Sequence, residues 1–431
     1  MNGSIDRRAL LVRGAGIGAL ALLGTAPVAL LAQEAQEWPA LAALAERYVT
    51  QRKVANMIIA IGQGQQPPQM IERGTLSFTS RVPVASDSLY RIYSMTKPVT
   101  GMAAAMLLDD GRIALDQPVA DVLPAFTQMQ VQKQPDGAVT PDNLEPATRQ
   151  LTMRHLLTHT GGLGYSIVQQ GPLADLYRQK GLVPALVSRV QGPDNFTGTP
   201  TSSLERFADD LATVPLVYQP GERWSYGVGL DLIGRVIEVV TGTPFDHFLQ
   251  ERIFDPCGMA DTGFQVPASD VARLTDNYLI VGETLLPIDL AASSIYLDPP
   301  PFPFGGAGLV STPHDYDRFL QMIVGGGAID GRRVMTEAAV RLATADLLPD
   351  TLVPGGEFGG GAAGYGAGGM VGRGAQAGLF GWSGAAGTIG FVHLPSATRL
   401  SLYTQFMPGQ AYGLQEELLR VVAGNLGLPA R

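Results

Sequence analysis

A chain of 431 residues, with 45% hydrophobic and only 16% charged side chains, is long enough for two lobes around a large core. Its formal net charge of −9 argues against a nucleic-acid partner, which needs a basic face, and no run of like charge marks an interaction tail. The single cysteine, Cys257, excludes an intrachain disulfide and any cysteine-based metal site; between Pro256 and Gly258 it reads as a small buried hydrophobe.

The chain opens with Arg7-Arg8 ahead of a Gly/Ala/Leu-rich stretch from Gly14 to Ala32. This resembles a twin-arginine export signal over residues 1–32, with Asp6 standing where that pattern carries Ser or Thr. Cleavage after Ala32 is one outcome, although Leu30 fits the minus-three position poorly. The alternative is an uncleaved anchor, for which the glycines and Pro27 make a mediocre span. No cysteine follows for lipid attachment. The expectation is a periplasmic or secreted protein with no stable membrane association after signal removal.

Ala40 to Gln51 reads as a helix, and Met57 to Gly62 with Gln69 to Gly74 as a strand pair across a Gly/Gln/Pro turn. Next comes Tyr93-Ser94-Met95-Thr96-Lys97-Pro98, which holds one of only four lysines in the chain. Pro98 has no N–H to donate and suits only a first turn, so a helix starts at or just before Ser94. Val99 to Leu108 is apolar nearly all round and stops at Asp109-Asp110-Gly111, the pattern of a buried helix. Residues three apart share a helix face, so the Lys97 amine can reach the Ser94 hydroxyl. A neutral amine there can take the proton as the serine attacks a carbonyl. The plainer reading of Ser94 is a helix N-cap.

Gln128 to Gln150 is polar and broken by Pro and Gly, as in a hairpin or excursion. A mainly helical stretch follows to about Arg273. Within it, Leu230 to Val240 stops at Gly242, and Thr243-Pro244-Phe245-Asp246 restarts a helix with Thr243 as cap and Pro244 in first position. Gly355 to Gly378 reads as strand edges and loops, since it lacks the Gly-x-x-x-x-Gly-Lys of a phosphate cradle. Gly387 to Leu394 and Thr398 to Phe406 form a hairpin around Pro395-Ser396, and a helix from Tyr412 to Val422 closes the chain. This order predicts an α/β (α+β type) fold: a discontinuous lobe, 33–127 with 300–431, and an inserted helical lobe, 128–299. The cleft between them is where a site is expected.

Arg154-His155-Leu156-Leu157-Thr158-His159-Thr160-Gly161-Gly162-Leu163, then Gln219 to Gly227, then Gly305-Gly306-Ala307-Gly308-Leu309-Val310-Ser311-Thr312 follow the Ser94 motif in order. Together with Ile253 to Phe264, these segments resemble the serine β-lactamase-like superfamily. The likeness runs from about Leu41 to Leu426 and is nearest to class C β-lactamases and family VIII carboxylesterases. It implies a serine β-lactamase/DD-peptidase-like fold, with an antiparallel sheet from both chain ends flanked by helices. It implies Ser94 as acylated nucleophile, Lys97 as its partner, and Tyr226 as the tyrosine of the family's Tyr-x-Asn motif, relaying a proton to the leaving group. A phenol of pKa about 10 is an adequate base only where a cation depresses it, and Lys97 is the cation at hand. Which of the two is the base stays open, because a coupled pair titrates as a unit. The plainer reading of Tyr226 is a core tyrosine packed near Trp224 and Leu230.

The chain departs from that pattern in two places. No lysine occurs after Lys180, so the Lys-Thr-Gly motif is missing, and Trp382-Ser383-Gly384-Ala385 stands at the matching strand. Val228 stands where the motif has Asn. Both polar handles for a penicillin-like substrate are lost, and the apolar wall left by Trp382 and Val228 suits a neutral ester. By the same matching, the backbone N–H groups of Ser94 and Ala385 would form an oxyanion hole, with Ser383 and Gly384 beside the substrate.

Rival signals are weaker. Gly381-Trp382-Ser383-Gly384-Ala385 nearly spells a nucleophile elbow, but an elbow runs into a helix and Thr388 to Leu394 reads as strand. His155 and His159 lack the following Glu of a metal helix, and Thr160-Gly161-Gly162 ends any helix there, so they read as a structural turn. His247, His314 and His393 read as surface or satisfied core residues, and Asp315 and Asp317 as helix N-terminal acids. The resemblance therefore implies a serine hydrolase acting on small carboxylic esters, with no cofactor and no metal. The alternatives are a β-lactamase or amide hydrolase, an acyltransferase of the same fold, or a non-catalytic cell-envelope binding protein.

Overall fold

In the computed structural model, which describes residues 38–189, 198–352, 354 and 363–425, the two ends of the chain build one sheet. The N-terminal part contributes β1 (Asn56–Gln63) and β2 (Gln69–Gly74). The C-terminal part contributes β3 (Ala363–Tyr365), β4 (Met370–Gly372), β5 (Leu379–Gly384), β6 (Thr388–His393) and β7 (Thr398–Tyr403). Their order is β3-β4-β5-β6-β7-β1-β2, antiparallel throughout. The expected export signal lies outside the described residues, as do residues 355–362 of the glycine-dense stretch. Among the described residues no helix is long and apolar enough to cross a membrane.

β1 joins the halves, pairing with β7 from Ile58 opposite Tyr403 to Gln63 opposite Thr398. Asn56 to Ala60 are all buried, so this strand is covered on both faces and tolerates an unbroken apolar run where a one-sided strand would alternate. Helix α1 (Pro39–Thr50) packs on β1 and β2, and the closing helix packs on α1. Helix α2 (Thr96–Asp109) is buried from Thr96 through Leu107, as its all-round apolar sequence requires.

The middle of the chain carries α3 (Gly229–Thr241), which ends on left-handed Gly242, and several shorter helices. Helix α4 (Pro313–Val324) packs against β1, β6 and β7, and α5 (Leu414–Asn425) is the closing helix. The expected excursion is a small hairpin of Gln130–Gln132 with Leu144–Pro146.

Three local expectations shift. The chain turns at Tyr93–Met95 in a tight 3₁₀ turn before α2 begins, so Ser94 sits in that turn rather than at a helix cap. The helix after Gly242 runs Phe245–Leu249 with Pro244 as its N-cap, one residue later than Thr243. The closing helix starts at Leu414, two residues after Tyr412, because left-handed Gly413 breaks the helical path. A further hairpin, Asn277–Val281 with Thr284–Asp289, adds Phe406–Met407 in parallel, so the inserted region also shares a small sheet with the C-terminal part.

Candidate active site

Ser94 is held by elements that converge on its turn. Tyr93, with φ +42°, accepts a hydrogen bond on its hydroxyl from Asn277 Nδ2 at 3.1 Å. Tyr316 of α4 donates its hydroxyl to the Met95 carbonyl at 3.0 Å, and the Leu309 N–H donates to Thr96 Oγ1 at 3.1 Å. A non-glycine residue in the left-handed region is strained, and such strain persists only where the surroundings over-determine it. The Ser94 side chain is left partly exposed.

One turn on, Lys97 is completely buried. Its Nζ donates to Ser94 Oγ at 3.2 Å and to the Gly306 carbonyl at 2.7 Å. It lies 4.5 Å from the centroid of the Tyr226 ring and 5.7 Å from that of Tyr165. Tyr226 comes from the loop ahead of α3, and its hydroxyl accepts a hydrogen bond from Trp382 Nε1 of β5 at 3.0 Å. Ser94, Lys97, Tyr226 and Trp382, spread over nearly three hundred residues of sequence, are thus one contact cluster.

The end of β5 closes against the serine turn. A methyl group on Gly384 would stand 2.3 Å from the Ile92 carbonyl oxygen and 2.2 Å from Thr388 Oγ1, so only glycine permits this approach. That contact brings the end of β5 against the turn that carries Ser94. Ser383 and Ala385 are partly exposed, whereas Trp382, Gly384 and Val228 are buried, Val228 as the N-cap of α3. Because β5 runs straight into β6, Ser383 has no elbow and no following helix.

The histidines are structural. His155 occupies the third position of the Met153–Leu157 helix, where its Nδ1 accepts from the Thr152 N–H at 3.1 Å and completes a capping box. Burial pushes its imidazole down to about 4. His159, with φ +56°, is buried, and its Nδ1 accepts from the Gly227 N–H at 3.3 Å while its carbonyl accepts from the Ser225 N–H at 2.9 Å. It thereby grips the loop on both sides of Tyr226. Burial first, and then the Lys97 charge, hold this imidazole well below its ordinary range, so it is neutral. The Nδ1 acceptor role places its proton on Nε2. Among the described residues no group of three or more His, Cys, Asp or Glu could hold a metal ion. Cys257 is buried, and desolvation pushes its thiol up to about 12.

Asp231, in the first turn of α3, is 1% exposed and was not singled out by the motifs. Its Oδ1 accepts from the Gly306 N–H at 2.9 Å. Burial raises its carboxyl to about 6, against the opposing pull of Lys97 and the Gly306 N–H. The sequence carries a signal for it: a lone acid inside the apolar run Leu230-Asp231-Leu232-Ile233 needs a partner when that run is buried.

Known proteins resemble this chain in sequence and in fold. The profile of the Beta-lactamase family matches residues 41–423. Protein Rv1367c of Mycobacterium tuberculosis is 34% identical over 297 residues, 69% of this chain and 69% of its own. Esterase EstB of Burkholderia gladioli is 32% identical over 259 residues, 56% of this chain and 58% of its own. The solved structure of EstCE1, a hydrolase with promiscuous acyltransferase activity, covers 95% of this chain and 100% of its own with a TM-score of 0.72 at 22% identity, a likeness of fold. With a matched span that takes in the serine turn, the Tyr226 loop and all seven sheet strands, the chain belongs to the Beta-lactamase family.

Proposed function

We propose that this member of the family is a serine hydrolase that cleaves small, neutral carboxylic esters through an acyl-enzyme. The observation that carries the reading is the buried Lys97 amine 3.2 Å from the Ser94 hydroxyl. Ser94 Oγ attacks the ester carbonyl while its proton passes to the Lys97/Tyr226 pair. The backbone N–H groups of Ser94 and Ala385 receive the developing oxyanion. Tyr226 returns the proton to the departing alcohol, and water then attacks the acyl-enzyme by the reverse relay. Trp382 Nε1 is placed to stabilise negative charge on the phenol oxygen during both transfers. The substrate class follows from the missing Lys-Thr-Gly and the valine at 228, which leave no cation for a substrate carboxylate in that strand and no amide beside Tyr226. The esterase named among the relatives supports it.

The test is pre-steady-state hydrolysis of p-nitrophenyl butyrate. A burst of nitrophenol equal to the enzyme concentration is expected, and Ser94→Ala removes both burst and turnover. Full activity in Ser94→Ala would end the proposal. Nitrocefin run in parallel separates a β-lactamase, and a fluorophosphonate probe that leaves Ser94 unlabelled marks a binding protein. A second reading, transfer of the acyl group to an alcohol instead of water, is favoured by the shared fold with EstCE1. Transesterified product on adding a primary alcohol is its readout. We also propose export through the Arg7-Arg8 segment, for which loss of the extracytoplasmic fraction in Arg7→Lys/Arg8→Lys is the check.

A further inference from the structure

A completely buried ammonium needs a counter-charge, and this site lacks the strand lysine and the asparagine that would otherwise shape its electrostatics. The surroundings of Lys97 are two phenol rings, a neutral imidazole, the Ser94 hydroxyl and the Gly306 carbonyl. The carboxylate this cluster offers is Asp231. One residue joins them: the Gly306 carbonyl accepts from Lys97 Nζ at 2.7 Å, and the Gly306 N–H donates to Asp231 Oδ1 at 2.9 Å. The joint is tight. A methyl group on Gly306 would stand 2.6 Å from Asp231 Oδ2, and one on neighbouring Gly305 would stand 2.5 Å from the Leu230 carbonyl oxygen. Thr100 Oγ1 of α2 donates to the Gly305 carbonyl at 2.7 Å, so the Gly305-Gly306 segment is clamped between α2 and α3.

We propose that Asp231 is a positioning residue: it is the internal counter-ion of Lys97 and, through Gly306, holds the amine against Ser94. This rests on the reading of Ser94 as the nucleophile. Asp231 touches neither substrate nor reacting atoms. Its work is to balance positive charge buried beside Ser94. The other titratable groups facing the pair are Tyr165, Tyr226 and His159. Asp231 and Tyr226 both raise the Tyr165 phenol beyond what burial alone does, and the Lys97 charge lowers His159. With Tyr165 and His159 both neutral, neither can replace the lost anion.

The experiment is the pH dependence of kcat/KM on p-nitrophenyl butyrate, from pH 5 to 10, for the full chain and for Asp231→Asn. The asparagine keeps an oxygen to accept from Gly306 but carries no charge. Without the anion, positive charge buried in the Lys97/Tyr226 pair is disfavoured. Whether Lys97 is itself the base or the cation that tunes Tyr226, the profile then moves toward acid, by about one pH unit or more. KM is expected to stay near the wild-type value. A folded Asp231→Asn with the wild-type profile, or with a uniform loss at every pH, overturns the proposal. Should that variant fail to fold, thermal melts of Lys97→Met decide. Removing the cation strands the buried carboxylate, so as the pH rises from 5 to 8 the melting temperature of the variant must drop progressively relative to that of wild type; a constant difference overturns the proposal. Fluorophosphonate labelling of the wild-type chain runs alongside. If Ser94 is not labelled, the underlying reading fails; labelled Ser94 with unmoved profiles fails Asp231 alone.

Discussion

Trp382 puts an indole at the strand where the pattern that this chain resembles carries a lysine. A lysine at this strand offers a cation; an indole offers one N–H and a large apolar face. Here the N–H is spent on Tyr226 Oη at 3.0 Å, and the ring lies 5.8 Å from the phenol and 5.2 Å from Tyr365. Trp382→Phe keeps most of the apolar face and removes the donor. Hydrogen bonds to a charge are worth about 1.5–3 kcal/mol, so kcat is expected to fall by about tenfold or more with KM little changed. An unchanged kcat would show that the indole serves only as wall. Most of the contact cluster was legible at this scale, because Ser94, Lys97 and Tyr226 lie in motifs with fixed local spacing. Asp231 and the grip of His159 were not. An acid in the first turn of a helix is ordinary in sequence, and its burial against Gly306 exists only after α3 has packed. His159 reads from the sequence as part of a structural turn, which its φ of +56° fits, but its hold on the Gly227 N–H exists only once the Tyr226 loop has packed against it.

At the scale of elements, the site depends on β5 and the 3₁₀ turn meeting without a side chain between them. Gly384→Ala would drive a methyl into the Ile92 carbonyl. Overpacking of this kind costs typically 1–3 kcal/mol, about that loss is expected in the unfolding free energy, and kcat is expected to fall because β5 moves off the turn that carries Ser94. Chemical denaturation and steady-state kinetics together check it; wild-type values in both would mean that the strand end can shift freely. The elements themselves were read well where periodicity is strong, as in α2, β1 and the β6–β7 hairpin. They were misjudged by a residue or two where a cap decides, as at Pro244 and Leu414, since proline and glycine mark the neighbourhood of a boundary rather than the residue. The order of the β3–β7 strands, and the pairing of β1 with β7, depend on long-range registers that alternation alone does not specify.

For the whole molecule, acid is the condition that tests the packing. His155 folds with its imidazole lowered to about 4 from an ordinary 6.5, and burial holds His159 well below the ordinary value too. A base depressed in the fold contributes stability that is complete above its ordinary value and lost as the pH falls toward the folded one. Asp231, raised to about 6, acts in the opposite direction over part of the same window, giving up stability as the pH rises. Two imidazoles outweigh one carboxyl, so the melting temperature is expected to fall between pH 6.5 and 4. His155→Gln keeps the capping bond to Thr152 without a titrating ring, and should remove on the order of 2 kcal/mol of that acid sensitivity. An unaltered pH slope in thermal melts of this variant would place the sensitivity elsewhere.

Because β1 finds its neighbour in β7, a nascent chain leaving the ribosome carries Ile58 to Gln63 with one flank unpaired until residue 403 has emerged. Vectorial synthesis therefore cannot finish the sheet piecemeal, and an apolar ribbon edge waits through most of translation. Closing so distant a pair is slow, which makes this seam the place where chaperone capture would matter and where premature termination would yield aggregates rather than a smaller working protein.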